Sequence, residues 1–166
     1  MIKKQLKDII TDIDSGMRPK GGVSTTSGTI PSLGAEHLSD GGNFHFDNIK
    51  YITESFFKSM NKGKIEKNNI LLVKDGATTG KICFVDESFP YGVAAINEHL
   101  FRIIPDKSKI FPKYLFWYLF SQSGNRQIMN DFRGATVGGI SRNIIEIVEV
   151  PLTNKKSIKE QIKDQI

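Results

Sequence analysis

The sequence predicts a single α+β domain, and three observations support this prediction. The length of 166 residues fits one domain. Short β-branched runs alternate with glycine-rich loops along most of the chain, and the segment after Pro112 has a strong helical pattern. The composition, 39% hydrophobic and 25% charged, is typical of a folded protein and excludes general disorder.

The N-terminal part of the chain is predicted to contain short extended segments between polar loops. Apolar residues in segment 6–13 recur at helical spacing, while their β-branched side chains favour equally a turn followed by a strand. Both interpretations stay open. Segments 15–29 and 39–48 are rich in glycine and polar residues and are predicted to be loops, with an extended segment at 30–33 between them.

The middle of the chain is predicted to form most of the β-structure. Thr53 is expected to cap a short helix over 54–60, which Gly63 closes. Cys83, the single cysteine, lies in a strand-like run, so we interpret it as a buried structural residue. Apolar runs predict strands at 51–52, 70–73, 81–85, 93–96 and 100–104.

The C-terminal part combines two helices, a polar loop and a final apolar segment. Pro112 occupies the first-turn position typical of a helix start, and a second helix is predicted over 125–133. Segment 134–143 is polar and glycine-rich, and the β-branched segment 144–150 is interpreted as a strand that ends at Pro151. The tail carries one apolar stripe at helical spacing, formed by Ile158, Ile162 and Ile166.

Several catalytic motifs are absent from the sequence. No Asp or Glu is followed two residues later by Lys, so half of the common nuclease motif is missing. Prolines never occur in pairs, so the Asn/Asp-Pro-Pro-aromatic motif of amino-methyltransferases is missing as well. One cysteine and three histidines form no zinc-binding spacing, and we predict no metal site. A self-sufficient nuclease or methyltransferase is therefore disfavoured.

Charge and hydropathy place looser bounds on function. The net charge of +5 permits nucleic-acid binding without requiring it. Phosphate binding depends on positive charge clustered on one surface, which a net sum does not reveal. No apolar run has the length of a membrane span and no charged-then-apolar leader opens the sequence, so a cytoplasmic location is expected.

Segment 76–81, Gly-Ala-Thr-Thr-Gly-Lys, partly matches a phosphate-binding loop. A P-loop has four residues between its glycines and continues from Lys and Ser/Thr into a helix. Here three residues separate the glycines, and Lys81 is followed by Ile82 and a predicted strand. We therefore predict a glycine-rich turn between two strands. A second interpretation stays open, in which the turn is rigid and presents Thr78, Thr79 and Lys81 outward to a ligand such as DNA.

Short segments follow one another along the chain in an order that is typical of one protein family. They are 6–9, 30–33, 36–38, 51–54, 67–73, 76–81, 95–97, 114–119, 134–136, 140–141, and 150–152 with 159–162. In this order and spacing they resemble a target recognition domain of the specificity subunit of type I restriction–modification systems. The chain departs from the family pattern at Ser32, where an aromatic residue is usual, and at Leu152 and Thr153, where two prolines are usual.

The resemblance implies a fold, a domain organisation and a function. The fold would be one target recognition domain over 1–152, with a twisted, mixed and mostly antiparallel β-sheet, flanking helices and long polar loops. Residues 153–166 would start a spacer helix. A complete specificity subunit has two such domains, so the chain would be a half-subunit or a truncated form. It would recognise one half of a bipartite DNA target and have no catalytic activity of its own.

The resemblance also implies partners. They are double-stranded DNA, DNA adenine methyltransferase subunits and a restriction–translocase subunit, and a second copy of the chain is a further candidate. No cofactor is expected in this chain, because S-adenosylmethionine, ATP and Mg²⁺ would belong to the partner subunits. An alternative of a different class stays open, in which a protein-interaction or anti-restriction decoy module uses the same fold without reading DNA.

DNA recognition requires polar side chains at base edges and cations at phosphates, and the predicted loops supply both. The candidate recognition residues are Ser27, His37, Asn43, Thr78, Thr79, Lys81, Arg133, Thr136, Ser141 and Arg142. The candidate phosphate contacts are Lys20, Lys58, Lys62, Lys64 and Lys74. The candidates for a helix that contacts a partner or a second copy are Ile158, Ile162 and Ile166. Loop hydroxyls also commonly satisfy turns, and a turn or core role is the main alternative for His37.

Overall fold

The structure is a computed structural model that describes residues 1–23, 27–134 and 138–152. The strands in these ranges are β1 (Ile2–Gln5), β2 (Ile10–Ser15), β3 (Ile30–Leu33), β4 (Lys50–Ile52), β5 (Ile70–Val73), β6 (Ile82–Phe84), β7 (Ala95–Ile96), β8 (Leu100–Pro105) and β9 (Glu149–Leu152). The helices are α1 (Glu54–Ser59), α2 (Pro112–Phe120), α3 (Gln122–Met129) and α4 (Ile144–Ile147). Short 3₁₀ turns occur at Leu6–Asp8 and Ala35–His37.

The described strands form three sheets rather than one continuous sheet. The central sheet has four strands in the order β2-β8-β5-β6, and all neighbours are antiparallel. A second sheet has the order β4-β3-β7 and contains a parallel pair, β3 with β7. The third sheet pairs β1 with β9 in antiparallel register. The predicted α+β class and mixed, mostly antiparallel pairing are confirmed.

Strand β5 is fully buried because the central sheet is covered on both faces. Ile70 and Leu72 belong to one core cluster, which includes Leu115 of α2 and Ile128 of α3. Leu71 and Val73, which point to the opposite face, belong to a second cluster that also contains Cys83. Successive side chains of a strand point to opposite faces, so a strand covered on both sides has a continuous apolar sequence. This explains the run Ile-Leu-Leu-Val, whose four residues are all buried.

A buried ion pair joins neighbouring strands of the central sheet. The Arg102 guanidinium on β8 donates to both carboxylate oxygens of Asp14 on β2, at 3.1 and 2.7 Å. It also donates to the carbonyl of Lys64, whose segment bridges to Ala95 of the second sheet. The side chains of Arg102 and Asp14 are only 9% and 10% exposed. The ion pair therefore joins β2 to β8 across a long sequence distance, and the bond from Arg102 to the Lys64 carbonyl links the central sheet to the second sheet.

Local signals located the helix starts correctly in two cases and incorrectly in a third. The Thr53 hydroxyl accepts a hydrogen bond from the Phe56 amide at 3.1 Å and caps α1, and α2 begins at Pro112, as predicted. The second helix spans 122–129 rather than 125–133. The reason is the Ser121 hydroxyl, which accepts a hydrogen bond from the Gly124 amide at 3.2 Å and starts the helix earlier.

The two β-branched segments, 6–13 and 144–150, differ in how well their predicted secondary structure agrees with the structure. Segment 6–13 forms a 3₁₀ turn followed by β2, which agrees with the turn-then-strand interpretation. Segment 144–150 is not a single strand, because α4 occupies its first half. Pro151 lies inside β9, opposite Lys3, and does not end the strand. Within the described residues β9 pairs only with β1, and such an edge position tolerates a residue that lacks an amide hydrogen.

Candidate nucleic-acid interface

Loops from distant parts of the chain meet at one end of the central sheet. Strands β2 and β5 end there and strands β6 and β8 begin there, because neighbouring strands are antiparallel. The adjoining loop segments are 16–23, 74–81 and 97–99. A fourth segment, whose described residues are 133–134 and 138–140, joins them through backbone hydrogen bonds, including Ile140 N to Lys74 O at 2.7 Å. We call these four segments the loop end.

The turn at 76–81 is a rigid connection between β5 and β6, as the sequence predicts. The Gly80 amide donates to Val73 O at 2.9 Å, and the Thr79 hydroxyl donates to Gly76 O at 2.6 Å. Gly76 and Gly80 have φ of 90° and 94°, a conformation that favours glycine. Asn125 of α3 donates to Gly80 O at 2.8 Å and supports the turn from behind. The turn therefore presents its remaining polar groups in a fixed geometry.

This turn forms one wall of an open depression with a volume of about 590 Å³. The depression is lined by Asp40, residues 77–82, Phe120 and Asn125. Lys81 Nζ lies 3.3 Å from Asp40 Oδ1, and the two side chains are 22% and 97% exposed. Hydroxyl, amide, ammonium and carboxylate groups thus share one surface, and these are the groups that form hydrogen bonds with base edges and phosphates.

A second polar cluster lies beside the turn. Lys74 Nζ is 3.0 Å from Asp75 Oδ2, and His99 Nδ1 is 2.5 Å from Asp75 Oδ1. Burial raises the pKa of the Asp75 carboxyl, but hydrogen bonds with His99 and Lys74 outweigh it, and the pKa lies below its ordinary value. Lys74 also lies over the Phe101 ring, 5.6 Å from its centroid. The cluster therefore keeps a carboxylate ionised next to two groups that can carry positive charge.

Comparison with known proteins decides the family. The family model of the type I restriction modification DNA specificity domain matches residues 1–165. The chain belongs to this family. The search among curated proteins gave no match. Membership of the family favours DNA recognition over the protein-interaction or decoy alternative.

Solved structures share the fold of this specificity domain. The S subunit of a type I system from M. genitalium matches over 93% of this chain, with a TM-score of 0.59 and 16% identity. The HsdS subunit from Thermoanaerobacter tengcongensis matches over 98%, with a TM-score of 0.61 and 15% identity. A structure that describes complex assembly of a type I system matches over 98%, with a TM-score of 0.67 and 16% identity. The specificity domain spans 35%, 34% and 36% of these chains, about a third of each.

The structure brings several predicted residues of the specificity domain together at the loop end. Thr78, Thr79 and Lys81 line the depression. Lys74 belongs to the adjacent cluster, and Arg133 pairs through its backbone with Gly139. Lys62 and Lys64 flank the loop end, because Gly63 between them packs against Gly16. Lys20 is exposed within segment 16–23 of the loop end, whereas Ser27 is exposed shortly before β3 and lies outside the loop end.

Other predicted residues have contacts that compete with a role in DNA binding. The Ser141 hydroxyl donates to Asp131 Oδ2 at 2.9 Å, which anchors the loop to the end of α3. Arg142 donates to the Ile13 carbonyl and lies 3.6 Å from Asp12, although 58% of its side chain is exposed. The Arg133 guanidinium donates to carbonyls of its own turn.

Two further predicted residues, Lys58 and Asn43, lie outside the loop end, and Lys64 at its flank contacts α1. Lys58 is exposed on α1, and Lys64 places its ammonium 4.7 Å from the centroid of the Phe57 ring. Asn43 is exposed in loop 39–48, where its carbonyl accepts a hydrogen bond from Cys83 Sγ at 2.9 Å. Thr136 and the tail residues Ile158, Ile162 and Ile166 lie outside the described residues.

The prediction that His37 contacts DNA is wrong. Its side chain is completely buried, and Nδ1 accepts a hydrogen bond from the Gly34 amide at 2.9 Å. Burial lowers the pKa of this histidine and favours the neutral ring. His37 therefore stabilises the 3₁₀ turn after β3, which is the alternative role named from the sequence.

Sequence reasoning missed the acidic and amide partners of the predicted cations. Asp40, Asp75, His99 and Asn125 were not singled out, although each lies in or beside a segment recognised as a loop or helix start. His99 had a usable signal, since Asn-Glu-His interrupts two strand-like runs, and so had Asp75, which directly follows the candidate Lys74. The contact of Asp75 with His99, like those of Asp40 and Asn125, joins segments far apart in sequence.

The chemistry of the remaining reactive groups is limited. Burial raises the pKa of the Cys83 thiol to about 12, so the nucleophilic thiolate is scarce at neutral pH. No three His, Cys, Asp or Glu side chains within 1–23, 27–134 and 138–152 are grouped so that they could hold a metal ion. Across the same ranges no helix has the length and apolar character needed to cross a membrane.

Proposed function

We propose that the chain reads one half of a bipartite DNA target through its loop end, for a type I restriction–modification system. The observation that carries this proposal is the meeting of four loop segments at one end of the central sheet. Thr78, Thr79 and Lys81 line one depression there, and Lys74 belongs to the adjacent polar cluster. Membership of the DNA specificity domain family supports the same ligand.

The contacts available at this surface are strong enough for recognition. A good bidentate contact to a base edge discriminates by about 1–3 kcal/mol, so a few such contacts suffice for a half-site. Lys74 and Lys81 are paired with carboxylates in the free protein. Asp40 is 97% exposed, and a solvent-accessible ion pair contributes only about 0–1 kcal/mol, so a DNA phosphate can replace the Asp40 carboxylate beside Lys81 at little cost.

The chemical steps of the system belong, in this proposal, to partner subunits. Methyltransferase subunits would transfer a methyl group to adenine using S-adenosylmethionine, and a restriction–translocase subunit would use ATP and Mg²⁺. This chain would need no cofactor and would have no catalytic activity alone. A second copy of the chain would supply the other half of the bipartite recognition unit.

We expect DNA binding by the chain to depend steeply on salt and to become sequence-selective in complex with the methyltransferase subunits. Neutralised phosphates release counterions, so the logarithm of the binding constant should fall linearly with the logarithm of salt concentration. Electrophoretic shifts over a salt series, with a target duplex and unrelated duplexes, measure both properties. The absence of any sequence preference in the assembled complex would contradict recognition. Methyl transfer by the purified chain alone would contradict the non-catalytic role.

A further inference from the structure

Asp40 places a carboxylate at the mouth of the depression where a negative charge is unexpected. Its side chain is 97% exposed, and Oδ1 lies 3.3 Å from Lys81 Nζ. Within the described residues we find no other side-chain partner for Asp40. A carboxylate repels DNA phosphates. On a surface that contacts only the sugar–phosphate backbone of DNA, it would therefore weaken binding.

The turn that contains Asp40 is held by contacts of neighbouring residues, and none of these contacts involves the Asp40 side chain. The Ser39 amide donates to Asn43 O at 2.8 Å, and the Asn43 amide donates back to the Ser39 hydroxyl at 3.2 Å. Cys83 Sγ donates to the same Asn43 carbonyl at 2.9 Å and ties the turn to β6. Gly42 has φ of 85° and packs closely against the Phe116 ring. These contacts close the turn around Asp40 while its own side chain stays free of backbone bonds.

Base edges include groups that only an acceptor can bind. In the major groove the exocyclic amino groups of cytosine N4 and adenine N6 donate hydrogen bonds, and Asp or Glu is a suitable acceptor for cytosine. The neighbours of Asp40 in the depression, Thr78 and Asn125, are also groups that can contact base edges. The exposed Asp40 carboxylate can accept a hydrogen bond from a base edge, whereas a phosphate beside it would repel it.

We propose that Asp40 is a specificity-determining residue that accepts a hydrogen bond from an exocyclic amino group of a base in the half-site. Lys81 leaves Asp40 on binding and contacts a phosphate, so one ion pair of the free protein is exchanged for two contacts with DNA. This inference rests on the proposed function, because it assigns a role within the same surface.

The proposal predicts opposite effects on specific and non-specific binding. In Asp40→Ala the loss of a negative charge should strengthen binding to unrelated duplexes by a few-fold. The same change should reduce discrimination at one base pair by about 5- to 150-fold, the range of a lost base contact. A purely structural role would weaken both kinds of binding together.

The experiment compares three assembled complexes, containing the wild-type chain, Asp40→Ala or Asp47→Ala, by selection from a random duplex library. Asp47 is a matched control, because it lies in the same loop, is 90% exposed and does not line the depression. We expect Asp40→Ala alone to lose selection at one base pair whose amino group faces the major groove. An unchanged preference in Asp40→Ala, or an equal loss in Asp47→Ala, would overturn the proposal.

A base analogue identifies the amino group and completes the test. At the selected position, adenine is replaced by purine or cytosine by 2-pyrimidinone, each of which lacks the amino group. We expect the analogue to weaken binding by the wild-type complex and to have little further effect with Asp40→Ala. Additive effects would overturn the proposal while leaving DNA recognition intact. A wild-type complex without any sequence preference would instead contradict the proposed function itself.

Discussion

Replacing Arg102 with methionine is expected to lower the free energy of unfolding by about 3–5 kcal/mol. The change leaves the Asp14 carboxylate buried without its partner, since both side chains are about nine-tenths buried and joined by two hydrogen bonds. It also removes the donor to the Lys64 carbonyl, which connects the central sheet to the second sheet. Urea denaturation followed by circular dichroism measures the loss.

The double variant Asp14→Leu with Arg102→Met separates the buried charge from the packing. Replacing a whole buried ion pair by apolar residues of similar volume is often neutral or stabilising. We therefore expect the double variant to recover most of the stability that the single variant loses. A loss below about 1 kcal/mol in Arg102→Met, the size typical of an exposed pair, would contradict a stabilising role for the buried contacts of Arg102.

Reversing the charge of Lys81 is expected to reduce DNA binding by the assembled complex by at least about tenfold at low salt. Lys81→Glu places two carboxylates together at the mouth of the depression, where Asp40 already lies 3.3 Å from the ammonium. The milder variant Lys81→Gln should lower the salt slope by about one, the effect of losing a single phosphate contact. Titrations of duplex at several salt concentrations measure both quantities.

Lys107 provides the matched control for this prediction. It is exposed just after the end of β8, at the opposite end of the central sheet from the loop end. Lys107→Glu changes the net charge equally, and we expect little change in duplex affinity. Equal losses from the two reversals would mean that only net charge matters and would exclude a localised contact at Lys81.

Elements with strong local signals could be predicted from the sequence. Strand β5 and the turn at 76–81 are defined by an apolar run followed by glycines, and the helix starts at Thr53 and Pro112 follow from capping and proline geometry. The predicted polar groups of the turn do share one surface. These features depend on interactions between residues close in sequence, so the local sequence pattern is sufficient to predict them.

Features that depend on long-range pairing could not be predicted. The parallel pairing of β3 with β7 and the division into three sheets involve segments far apart in the chain. The burial of His37 and the pairing of Asp40 with Lys81 likewise depend on how distant loops pack. Segment 144–150 shows the complementary problem, since its isoleucines suit either a strand or the short helix that begins it.

Site-directed crosslinking tests most directly whether the loop end contacts the bases. Thr78→Cys and Lys107→Cys place a reactive thiol at opposite ends of the central sheet, while the native Cys83 is buried and its thiol has a pKa of about 12. Each variant is labelled with a photoactivated azide, assembled with the methyltransferase subunits and irradiated on duplex DNA. We predict crosslinks from position 78 to a few adjacent bases of one half-site, and none from position 107. Crosslinks from position 107 alone, or from neither position, would contradict recognition by the loop end.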